Sequence, residues 1–127
     1  MLPLYNKVAL YTYMTDTHTT TNTAEKFGPI RKGLLEFIVL AIISQREVYV
    51  ANILETLAVT DFATQEGTLY PLLSKIRREG LVEYEWRESE VGPPRKYYTL
   101  TARGKEQLTE LNTYWEYINK TIKNFKK

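Results

Sequence analysis

The chain has no cysteine and a single histidine, His18. Without cysteine there is no disulfide, thiolate nucleophile or thiolate metal ligand, and the composition suits a reducing compartment. One histidine, with no paired carboxylates on a clear cleft, supplies no nucleophile and base, so the sequence offers no catalytic site. With no His/Cys cluster there is no zinc or haem-thiolate site, and no cofactor is expected. An excess of one charge is also missing. Lys and Arg total 17 against 15 Asp and Glu, a net charge of +2, so any argument for a nucleic-acid partner depends on where the cations sit. Long hydrophobic runs are absent too. The longest, 34–43, is interrupted by Glu36 and is too short to span a bilayer. The apolar patch near Lys7 lacks a signal-peptide core and a cleavage site. A cytoplasmic protein with no membrane partner is the expectation.

At 127 residues, with 43% apolar and 25% charged side chains, the chain can build one domain around one core. Residues 1–26 read as a flexible arm, because 14–25 are dominated by Thr, Asp and Asn without apolar periodicity. Met14 is a candidate start, which would make residues 1–13 a mis-assigned leader; the alternative is an arm that touches DNA or a partner subunit.

Residues 30–44 predict a helix that is apolar on nearly all sides, hence buried on nearly all sides, by its own domain and by a second subunit. A short helix over 48–57 follows, with Ile53, Leu54 and Leu57 facing inward. Thr64 is a plausible N-cap for a third helix whose buried stripe is Leu69, Leu72, Leu73 and Ile76 and whose end is marked by Gly80. Pro71 inside it removes a backbone donor and crowds the carbonyl of Gly67, so a slight kink is expected. Val82, Tyr84 and Trp86 alternate with Glu83, Glu85 and Arg87 as a strand. The 87–94 segment forms the connection and 95–100 returns. Thr101 caps a last helix whose apolar residues Leu108, Leu111, Trp115, Ile118, Ile122 and Phe125 are spaced 3, 4, 3, 4 and 3, a heptad seam. The fold class is mostly α with a small β-hairpin: a winged helix-turn-helix over 27–100 and a C-terminal dimerisation helix over 101–127.

Four segments in order carry a resemblance. They are G-T-L-Y-P-L-L at 67–73, R-R-E-G-L-V at 77–82, G-P-P-R-K-Y-Y at 92–98 and L-T-A-R-G at 100–104. Together they resemble the PadR family of bacterial transcriptional regulators, over about residues 30–125. The compact terminal helix with its Trp is similar to the subgroup that includes multidrug-binding repressors of lactic-acid bacteria. The resemblance implies a homodimeric winged-helix repressor relieved by a small molecule or stress signal. The family often has Gly-Tyr in the second helix, where this chain has Val50-Ala51.

The partner expected is double-stranded DNA with a pseudo-palindromic operator, because a dimer meets two half-sites about one helical turn apart. The first turns of the recognition helix reach base edges, which nominates Thr64, Gln65, Glu66 and Thr68. The Tyr70 hydroxyl is placed for a phosphate, and the resemblance supports Thr68 and Tyr70. Lys75 is the candidate phosphate contact later on the helix, with Arg77 and Arg78 solvated or paired to Glu79 or Glu83. Arg95 and Lys96 are the wing cations, their alternative being surface ion pairs with Glu88 or Glu90. Leu34, Phe37, Leu108, Leu111, Trp115, Ile118 and Ile122 are the dimerisation candidates, the alternative being that the terminal-helix seam packs on the first helix of the same chain. Paired Trp115 rings, with Phe37 and Ile118, are a candidate site for a small planar hydrophobic ligand; the alternative is a packed seam. A winged helix used only for protein–protein contact is the rival function.

Overall fold

The computed structural model describes residues 26–126, so the expected arm and the question of its first 13 residues lie outside the described residues apart from Lys26. The element order is α1 (Gly28–Gln45), α2 (Val50–Ala58), α3 (Glu66–Arg78), β1 (Val82–Ser89), β2 (Gly92–Leu100) and α4 (Ala102–Asn124). This is the winged-helix order: three helices, a hairpin and a terminal helix.

The core forms where the inward stripes of these elements meet. It takes Val39, Leu40 and Ile43 from α1, Ile53 and Leu57 from α2, and Leu69, Leu73 and Ile76 from α3, closed by Leu81, Val82 and Tyr98. Burying each aliphatic side chain contributes about 1.5–3 kcal/mol. The rest of α1's apolar surface, including Leu34, Phe37 and Ile38, is only half-buried in a single chain.

Helix α2 begins two residues later than its apolar pattern predicts. Val48 is in a bridge instead: its N–H donates to the Tyr98 carbonyl at 3.3 Å, and the Tyr98 N–H donates back at 2.7 Å. Val48 therefore adds a one-residue third strand beside β2. Tyr49 becomes the N-cap, with its N–H donating to Asn52 Oδ1 at 3.3 Å. Before α3, Arg31 reaches from α1 to the Asp61 carbonyl at 2.9 Å and pins the turn that leads into α3.

Helix α3 also starts later than expected. Gln65 is its N-cap and makes no side-chain cap bond, so Thr64 precedes the helix instead of capping it. Its other end matches expectation. Gly80 has φ +78°, a conformation that suits glycine. Its N–H donates to the Arg77 carbonyl at 2.9 Å while the Leu81 N–H donates to Ile76 at 2.9 Å. These are the two bonds of a Schellman motif, with Leu81 and Ile76 buried against its turn.

The hairpin is longer and its loop shorter than the Gly-Pro-Pro segment suggests. The strands pair from Val82↔Leu100 to Arg87↔Arg95 and again at Ser89↔Gly92, with an irregularity between Arg87 and Ser89. The extra residue is on β2: Pro93 and Pro94 together stand against Glu88, a bulge at which proline's missing donor is tolerated.

Helix α4 opens on Thr101, whose hydroxyl accepts from the Gly104 N–H at 3.0 Å, as expected. Leu108 and Leu111 then pack on the chain's own core. Beyond them the seam opens to solvent: Trp115 is 40% exposed, Ile122 58% and Phe125 84%. Among the described residues, no helix is long and apolar enough to cross a membrane.

Candidate nucleic-acid interface

The surface of α3 divides cleanly. Leu69, Leu73 and Ile76 are buried. On the opposite side Gly67, Pro71 and Ser74, spaced by four and then three residues, form one exposed ridge of small side chains. No heavy atom lies within 4 Å of where a Gly67 side chain would begin. Thr68 flanks the ridge on the side of α1 and Tyr70 on the side of the hairpin; both are exposed. Gln65 and Glu66 are exposed at the amino end, and Thr64 is half-buried. Small residues along the ridge let the helix backbone approach a partner closely, while the flanking Thr and Tyr hydroxyls remain free to hydrogen bond. Glu66 lies in the first turn, where a carboxylate is favoured by the helix dipole.

The later cations of α3 are arranged differently from the sequence reading. Lys75 Nζ lies 2.5 Å from Glu36 on α1 and 3.6 Å from Glu79. The hydrogen bond to Glu36 raises the Lys75 pKa above its usual value, the carboxylate favouring the ammonium form. Arg77 pairs with neither Glu79 nor Glu83. Its guanidinium lies over the Tyr84 ring, 4.7 Å from the centroid. Lys96 of β2 lies 4.5 Å from the same centroid and 5.3 Å from that of Trp86. Arg77, Arg78, Lys96 and Ser74 line a groove of about 270 Å³ between α3 and the hairpin, with Tyr84, Tyr98 and Leu73 completing it. Burial raises the pKa of the Tyr98 phenol, with Tyr84 and Tyr70 adding to the effect and Arg77 opposing it.

Adjacent strand residues face opposite sides, so Arg95 is separated from Lys96 by the sheet. Arg95 lies over Tyr49 at 4.4 Å, and Tyr49 meets Tyr97 edge-on at 5.3 Å. Neither wing cation pairs with Glu88 or Glu90. The cation that does form ion pairs on this hairpin is Arg87, with Glu47 and Glu85. Arg95 and Lys96 are thus held on aromatic rings, which fix their position without neutralising their charge. From the sequence, Arg77 and Arg78 read as solvated or ion-paired, and Tyr84 only as one side of a strand's alternation. The signal was present in the strand alternation, which puts Tyr84 and Lys96 on one face, but the side of α3 that meets this face is fixed only by packing.

Of the expected dimerisation residues, Leu108 and Leu111 are partly covered within the chain. Leu34, Phe37 and Ile118 are half-buried, and Trp115 and Ile122 are exposed. Among the described residues no group of three or more His, Asp or Glu side chains could hold a metal ion.

A three-helix unit with a hairpin wing, an exposed small-residue ridge on its third helix and uncompensated cations beside it defines a winged helix-turn-helix of the DNA-binding class. Residues 39–110 match the model of the PadR-like family of transcriptional regulators. The chain belongs to this family, whose members are transcriptional regulators and not enzymes. A PadR-like transcription factor from Bacteroides fragilis is 37% identical, with 80% of this chain and 99% of that chain covered and a TM-score of 0.70. A PadR-like transcriptional regulator from Bacillus cereus is 41% identical, with coverage of 73% and 91% and a TM-score of 0.66. An uncharacterized protein from Lysinibacillus sphaericus is 28% identical over 99 residues, 76% of this chain and 91% of that protein.

Proposed function

We propose that this regulator is a homodimeric repressor that binds a pseudo-palindromic operator and is released by a small planar hydrophobic ligand. The observation that carries the DNA half of this reading is the exposed ridge Gly67, Pro71 and Ser74, flanked by Thr68 and Tyr70. A ridge without bulk enters the major groove deeply enough for Gln65, Glu66 and Thr68 to reach base edges. Thr64 approaches from the loop, the Tyr70 hydroxyl meets a phosphate, and Arg95 and Lys96 meet the flanking backbone. Lys75, held by Glu36, takes the smallest share.

The exposed seam supports the dimer. Trp115, Ile118, Ile122 and Phe125 continue one line of α4 past the point where its own domain covers it, and Leu34 and Phe37 add half-buried apolar surface on α1. A second copy covers both. Trp115 then meets its counterpart or a near neighbour, and a gap between rings, with Phe37 and Ile118 as walls, receives a flat aromatic compound by stacking.

The test is fluorescence anisotropy with DNA from upstream of the protein's own gene against a scrambled duplex, across a salt series, with sedimentation to read oligomeric state. Preferred binding to the native DNA with a steep negative salt slope supports the reading. Absence of binding at every salt concentration overturns it in favour of a protein-interaction module.

A further inference from the structure

The groove between α3 and the hairpin holds charges that the rest of the protein leaves unbalanced. Arg77 and Lys96 approach the same Tyr84 ring, from two different elements. The ring attracts each cation, yet the cations repel one another. Among the described residues neither has a carboxylate at ion-pair distance. Glu83 and Glu85 belong to the other face of β1, and Glu79 is engaged by Lys75. Arg78 adds a third positive charge to the same lining. Like charges gathered in a groove without a counter-ion leave the place of an anion open.

The anion's chemistry follows from the donors. Two guanidinium groups and an ammonium suit an oxyanion that accepts several hydrogen bonds at once. Ser74 on the rim supplies a hydroxyl. Tyr98, buried in the groove wall, carries a phenol that can donate. The groove's position identifies the source. Ser74 belongs both to the ridge of α3 and to the groove lining, so a duplex that accepts the ridge in its major groove carries a strand edge past these cations.

We propose that this groove seats one phosphate of the DNA backbone in each subunit, held by Arg77, Arg78 and Lys96, with Tyr84 as the positioning residue that fixes two of them. The inference rests on the DNA-binding reading above and assigns that interface a clamp between recognition helix and wing. Its consequence is orientation: a phosphate bound from both sides fixes the angle between α3 and the duplex, which base contacts alone do not.

The experiment uses the full chain and a 5′-fluorescein duplex of mixed sequence, titrated by anisotropy over a salt series. Wild type is compared with R77Q/K96Q, with R77Q/R78Q, which leaves the wing cation Lys96 in place, and with K120Q, which removes an exposed cation outside the groove. Circular dichroism checks that each variant is folded. Loss of one phosphate per subunit should lower the salt slope by about 0.9 for each subunit bound. The expected result is that reduction in both R77Q/K96Q and R77Q/R78Q, with K120Q close to wild type. A steep wild-type slope unchanged in folded R77Q/K96Q overturns the clamp and leaves DNA binding standing. No wild-type binding at any salt overturns the DNA reading itself, and the clamp with it. A parallel NMR titration with inorganic phosphate separates the two sources of the anion. Sub-millimolar binding that R77Q/K96Q abolishes, with the DNA salt slope unchanged, would assign the groove to a free phosphorylated ligand and refute the backbone seat.

Discussion

Replacing Gly104 with Ala should destabilise this protein, although helix propensity alone favours alanine by about 1 kcal/mol. Gly104 lies in the first turn of α4, buried against the chain leaving the Schellman turn. A Cβ there would stand 2.9 Å from the Leu81 carbonyl carbon, nearer still to its oxygen, and 3.3 Å from Leu100 Cδ2. The Leu81 carbonyl has little room to yield, because it accepts the Thr101 N–H at 3.1 Å and its residue is held by the Ile76 carbonyl. Relief therefore requires α4 to move as a body, and overpacking of this kind costs about 1–3 kcal/mol. The obstacle is backbone and not a flexible side chain, which puts the cost at the upper end, so the net loss should be about 2 kcal/mol. That corresponds to a fall in Tm of roughly 10 °C for a domain of this size. Urea and thermal unfolding at one fixed protein concentration would measure it, because stability coupled to dimerisation varies with concentration. Gly33→Ala is the matched control: nothing lies within 4 Å of its new methyl, so it should be neutral or stabilising. If Gly104→Ala were as stable as wild type, the close approach of α4 to Leu81 would be refuted.

Trp115→Ala should raise the dimer dissociation constant about tenfold or more by sedimentation, since a central Trp is a frequent hot spot. It should also abolish the change in a planar dye's own fluorescence on binding, read from the dye because the variant lacks this indole; a weakened dimer with unchanged dye response would refute the ligand site at Trp115. Lys75→Gln should lower the DNA salt slope less than loss of either wing cation, and cost at most about 1 kcal/mol in urea unfolding, because its ion pair with Glu36 is largely solvated. Alkaline pH should lower stability. Lys75 and Tyr98 both have folded pKa values raised above 10.5 and 10.0. The unfolded chain therefore releases these protons first, and stability present below about pH 10 is lost as pH rises through the folded values. Tyr98→Phe should remove the tyrosine part of this decline, read from urea midpoints between pH 8 and 11.

The elements legible in the sequence were those specified by local chemistry. Gly80 announces the end of α3 because a left-handed residue is needed there, and Thr101 announces α4 because its hydroxyl can reach Gly104 N–H. Of the expected stripe, Leu69, Leu73 and Ile76 are buried in the core, and Leu72 packs against it half-buried. What the sequence hid was set by partners far along the chain. Val48 reads as helical by its neighbours and is drawn into a bridge by Tyr98, fifty residues on. Lys75 reads as a free cation on a recognition helix until α1 brings Glu36 beside it, and Arg77 reads as solvated until the hairpin lays Tyr84 under it. The extra strand length around Pro93 and Pro94 follows from the bulge these two residues make against Glu88, which local propensity does not encode.

The same junction that makes Gly104 intolerant of a methyl also links reading to assembly. The Thr101 hydroxyl donates to the Gly80 carbonyl at 2.6 Å and its N–H donates to the Leu81 carbonyl at 3.1 Å, so two bonds to adjacent carbonyls tie the end of α3 directly to the start of α4. The hairpin between them leaves and returns at this point, with Val82 paired to Leu100. Recognition helix, wing and terminal helix thus converge on one turn, anchored by the buried Leu81 and Val82, instead of on flexible linkers. In a dimer built on α4, the angle between the two terminal helices sets the separation of the two α3 ridges directly. A ligand that spreads the Trp115 seam would therefore act on half-site spacing through rigid elements, with no need for unfolding in the DNA-binding unit. Gly104→Ala offers a handle on that coupling: if α4 shifts to relieve its contact, operator affinity should fall more than affinity for a single half-site, whose contacts lie within one subunit.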